Sequence, residues 1–159
     1  MSGPAASLCI LGIGNTLRSD DGIGAWVCRR LAHLPLKNTV IEYAHQLQTE
    51  WLATLSSYDT VILVDARADD GEEVLFQTLG VDTGPFTTSS HYLDAGILAT
   101  LAGGLYTLSP AFRVCSIPGY DFSLGEGLSP GGMQKAEEAF GILRRWLAAN
   151  GYLSEPADG

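Results

Sequence analysis

Short, almost wholly apolar runs alternate with stretches that repeat apolar residues at helical spacing, and this constrains the fold more than any other feature. The runs are SLCILGIG, NTVIEYA, TVILVDA and AFRVCSIPG, with a more polar EEVLFQTL between the last two. Each has strand length; SLCILGIG ends in glycines, and TVILVDA is almost wholly apolar until Asp65. Between them, Ile23, Trp26, Val27, Leu31 and Leu34 define a helix expected from about Gly22 to His33, stopped before Pro35. QTEWLATLSSY and SSHYLDAGILATLAG are expected to be helices, and a last helix carries Met133, Ala136, Phe140, Leu143 and Leu147 on one face. SLGEGLSPGG is expected to be a loop. The pattern predicts an α/β fold: a three-layer αβα sandwich around a twisted, mostly parallel sheet of five strands. One domain is expected over residues 1–159, with a polar tail from about 152.

In such sheets ligands sit at the carboxyl ends of the strands. Asp20 and Asp21 follow the first strand, Asp65 ends the third and His91 lies after the fourth, so all can meet over one sheet edge. The first of these places, GIGNTLRSDDGIG (residues 12–24), has the look of a phosphate loop. A dinucleotide fingerprint would need a third glycine where Leu17 stands, and a P-loop needs a lysine that is absent. Two acids at a helix start would also repel a pyrophosphate. Two carboxylates and an imidazole instead suit a divalent metal such as nickel, zinc or iron. Three protein ligands would leave positions open.

Plainer readings stand beside these. Asp20 or Asp21 could cap a helix; for Asp20 capping is the favoured role. Asp65 could be a hydrogen-bonded structural acid, and His91 a solvated surface residue. Asp21 and His91 are expected near the surface.

The net charge of −9 speaks against nucleic acid as a partner. No apolar run approaches the roughly 20 residues that span a bilayer, and the N-terminus lacks the basic region of a signal peptide. Cys9, Cys28 and Cys115 have no metal-ligand spacing and are expected to be core residues of a cytoplasmic protein. No Ser lies in a G-x-S-x-G turn.

Taken together, GIGNTLRSDDGIG, VILVDA, the His of SSHYL and GEGLSP before the last helix resemble the endopeptidases that mature the large subunit of nickel-iron hydrogenases. The resemblance runs from Leu8 to about Leu147. It implies an α/β domain that removes a C-terminal peptide from the large-subunit precursor after nickel insertion. It also implies Asp21, Asp65 and His91 as the nickel contacts and catalytic residues, with nickel borne by the substrate and the resting enzyme metal-free. Where many members carry an Asp-Gly-Gly-Thr-like segment, this chain reads EYAHQLQTE. That version resembles the branch serving bidirectional, NAD(P)-linked hydrogenases and makes His45 a candidate contact to the substrate or to the metal's ligands. A monomer is expected. The alternative reading is a non-catalytic nickel-binding or chaperone module on the same fold.

Overall fold

In the computed structural model, residues 7–68, 71–79 and 111–154 are described. Five strands form one sheet: β1 (Leu8–Ile13), β2 (Thr39–Ala44), β3 (Thr60–Arg67), β4 (Leu75–Leu79) and β5 (Ala111–Pro118), in the order β2-β1-β3-β5-β4. The pairings of β1 with β2, β1 with β3 and β3 with β5 are parallel, and β4 joins antiparallel at the edge. The expected mostly parallel sheet is therefore observed. β1 and β3 are central and covered on both faces, which is why they read as unbroken apolar runs. The two edge strands, β2 and β4, are the more polar ones.

Alternate residues of the strands feed two cores. Leu8, Ile10, Ile62, Val64, Cys115 and Ile117 face α1 (Ile23–Leu31) and α3 (Pro130–Ala149). Cys9, Leu11, Ile13, Val61, Leu63 and Val114 face the other way, onto Leu47 and onto Leu52 and Leu55 of α2 (Glu50–Leu55). Helices thus lie on both faces, and the order of layers is the predicted one.

Three expectations shift in detail. α1 is preceded by a 3-10 turn over Ser19–Gly22, so the acids sit in that turn and not in the helix itself. SPGG, read as loop, is the start of α3: Ser129 is its N-cap, accepting from the Gly132 amide at 3.0 Å, and Pro130 opens the helix. On α3 the apolar stripe is Ala136, Ala139, Leu143 and Leu147, while Met133 is exposed. Tyr152 is buried and stacks on Trp146 at 5.6 Å, and Leu153 pairs with Leu36. The helix expected over SSHYLDAGILATLAG lies outside the described residues.

Candidate active site at the carboxyl edge of the sheet

The turn after β1 is built by its own polar groups. The Asn15 side chain accepts from the Leu17 amide at 2.9 Å, and its carbonyl accepts from the Arg18 amide at 3.1 Å. Gly14 enters the turn at φ +137°, and a Cβ there would collide with the Asp21 carbonyl. Only glycine lets the chain double back this tightly. The result presents Asp21 on a 3-10 turn packed against β3, with one carboxylate oxygen accepting from the Asn15 amide at 2.7 Å.

Asp65 stands two residues from the end of β3, beside the end of β1, and is buried. Its Oδ1 accepts from the Ala66 amide at 2.9 Å. The structure therefore brings Asp21 and Asp65 to the same sheet edge, as the topology predicts. Asp21 is only 6% exposed, however, which corrects the expectation of a near-surface residue. The turn buries its carboxylate against Gly14 and the Asn15 amide. His91 lies outside the described residues. Among the described residues no three His, Cys, Asp or Glu side chains cluster closely enough to hold a metal.

Asp20 does something else. Fully buried, its carboxylate accepts from the amides of Tyr120 (2.8 Å), Asp121 (3.1 Å) and Ser129 (2.8 Å) and from the Ser129 hydroxyl (2.6 Å). It does not cap the helix that follows it. It buttresses the N-cap serine of α3, more than 100 residues away. The capping role expected for Asp20 is not observed: Ser129 caps α3, and Asp20 holds that serine in place. No local pattern could show this, because every partner is distant in sequence.

Two further polar residues at this edge are not singled out by sequence reasoning. Ser116 sits opposite Asp65 in register, and both it and Arg67 are buried. The Arg67 guanidinium donates to the Ser116 carbonyl (3.0 Å), the Ser116 hydroxyl (3.1 Å) and the Glu73 carbonyl (2.5 Å). The available signal was a cation closing an otherwise apolar strand, which demands buried partners. His45, exposed at the end of β2, lines a cleft of about 450 Å³ together with Gly14, Asn15, Tyr43 and Arg29. It therefore borders the acidic turn.

The thiols offer no nucleophile. Burial pushes Cys9 and Cys115 up to about 12, and Cys28 higher still, so all three stay protonated near neutrality. What remains chemically distinctive is a pair of buried carboxylates at a strand edge. Carboxylate oxygens are the kind of donor that hard cations take.

No protein-family model matches the chain. An adenylosuccinate synthetase from Lactobacillus helveticus is 35% identical over 79 residues, which covers 45% of this chain and 18% of that protein. The chain thus spans under a fifth of that relative's length, and the glycine turn lacks the P-loop lysine. Solved structures match over nearly the whole length. The hydrogenase maturating endopeptidase HybD from E. coli superposes with a TM-score of 0.75 at 18% identity, covering 96% of this chain and 98% of its own. The [NiFe] hydrogenase maturation protease HybD from Thermococcus kodakarensis gives 0.67 at 22% identity, covering 88% and 98%. The protease HycI from Thermococcus kodakarensis KOD1 gives 0.66 at 24% identity, covering 90% and 93%. The chain has the fold of the hydrogenase maturation endopeptidases.

Proposed function

We propose that this chain is itself an endopeptidase of that kind, removing the C-terminal extension of a nickel-iron hydrogenase large-subunit precursor. The observation that carries the reading is the pair Asp21 and Asp65, buried at the carboxyl edge of a fold shared with such endopeptidases along almost the whole chain. Carboxylates this deep are costly to desolvate, and a cation held by them would offset part of that cost.

In this reading the nickel arrives with the substrate, already held by the precursor's cysteines. Asp21, Asp65 and His91 complete its coordination. Nickel held there would act as a Lewis acid towards a water or the scissile carbonyl. The residues of this chain do the positioning. The Asn15 amide fixes one oxygen of Asp21, and the Ala66 amide fixes one oxygen of Asp65. The cleft beside His45 borders the turn and has room for a short run of the extension. The segment His45-Gln46-Leu47 supports the narrower assignment to the branch serving bidirectional, NAD(P)-linked hydrogenases. Three free, buried thiols accord with a reducing compartment, and we place the enzyme in the cytoplasm, acting as a monomer. Among the described residues no helix is long and apolar enough to cross a membrane.

The test is incubation with nickel-loaded large-subunit precursor, followed by mass spectrometry. Loss of a C-terminal peptide is expected with the wild-type protein and not with Asp21→Asn. Binding of nickel or precursor without any mass change would favour the alternative, a non-catalytic nickel-binding or chaperone module.

A further inference from the structure

The loop from Gly119 to Ser129 joins β5 to α3, and it is pinned to the acidic turn along its length. The Ser19 amide donates to the Gly125 carbonyl at 2.8 Å, and the Gly125 amide donates to the Leu17 carbonyl at 2.9 Å. The Ser19 hydroxyl donates to the Ser123 carbonyl at 2.9 Å, and the Asp20 carboxylate holds both ends of the loop. Turn and loop therefore move as one body. On this fixed body stand the most exposed large apolar side chains of the described residues: Leu124 at 77%, Leu17 at 56% and Tyr120 at 51%. Leu17 and Leu124 are adjacent through the bond to Gly125. The Tyr120 ring packs over Gly131 at the start of α3.

A single exposed leucine needs no explanation. Three large apolar residues on a backbone already immobilised, four residues or fewer from Asp21 in the case of Leu17, differ from that base case. Their ordering cost is met before any partner arrives, which favours binding. The loop also bears Asp121 and Glu126, against Arg18 on the adjoining turn, on a chain of net charge −9.

We propose that Leu17, Leu124 and Tyr120 form a docking surface for the folded body of the protein substrate, whose matching patch is apolar with a basic rim. This rests on the function proposed above, because the surface is continuous with the turn that carries Asp21. It assigns binding of the precursor to two adjoining places, its nickel and extension at the carboxyl edge and its body on the pinned loop, with Leu17 at their boundary, since it also lines the cleft beside His45.

The experiment compares wild type, the double variant Leu17→Ser/Leu124→Ser, and Val40→Ser. Val40 is exposed on β2 near the amino end of the sheet, away from the site. The probe is the nickel-loaded large-subunit precursor from the same organism. For the double variant, KM is expected to rise by about tenfold or more. Its kcat and thermal midpoint should stay at the wild-type values, and Val40→Ser should change neither constant. A double variant whose KM stays within about twofold of wild type, while wild type cuts normally, overturns the docking surface alone. A wild-type protein that cuts no precursor overturns the proposed function and this surface with it.

Discussion

Two adjacent aspartates have different surroundings, and single substitutions separate the structural duty of Asp20 from the one proposed for Asp21. Asp20→Ala removes a fully buried acceptor that serves four part-buried donors. We predict a loss of about 3 kcal/mol or more, read as a fall in melting temperature of roughly 10 °C. Asp21→Asn keeps shape and the contact to Asn15, so the melting temperature should move little. Cleavage should fall at least about a hundredfold, since even groups that only support a metal ligand are worth 10- to 100-fold. A variant at Asp21 that cuts at the wild-type rate would remove it from the site. Because Asp21 is buried, Asp21→Ala is the less informative change: its cavity and lost hydrogen bond would confuse stability with activity.

At the scale of elements, the start of α3 is where local and distant chemistry meet. Gly132 lies on the first turn of the helix, and a Cβ there would collide with the Asp20 carboxylate. Gly132→Ala should therefore destabilise the protein, although alanine is the better helix former. A melting temperature raised by that substitution would contradict the close approach. The strands and α1 were legible in the sequence because burial on both faces of β1 and β3 leaves an unbroken apolar record. Topology then sufficed to place Asp21 and Asp65 together. The start of α3 was missed although Ser129-Pro130 is an N-cap followed by a first-turn proline; the two glycines after it argued for a loop. They are small because Tyr120 and Asp20 press against them, and no neighbouring residue reports that. The Arg67–Ser116 pairing was equally hidden, since register between β3 and β5 is a property of the folded sheet.

For the molecule as a whole, the buried thiols set an alkaline limit. Their folded-state ionisation is raised from 9.0 to about 12 or beyond by burial. The folded protein therefore binds protons more tightly than the unfolded chain, and this stabilisation is complete below pH 9 and lost as pH rises towards 12. Denaturant midpoints should fall above pH 9, and replacing Cys28 by Ala should weaken that dependence. The native thiols should also resist alkylation at neutral pH until the protein unfolds. The central claim concerns the whole complex: the carboxylate edge recognises nickel that the precursor brings. The most direct measurement follows the mass of two precursor preparations, one nickel-loaded and one nickel-free, after exposure to enzyme stripped with a chelator that is then removed. The loaded precursor should lose its C-terminal peptide at the untreated enzyme's rate, and the nickel-free precursor should remain intact even at high enzyme concentration. Equal cleavage of both would contradict the account and leave Asp21 and Asp65 as an ordinary acid–base or structural pair.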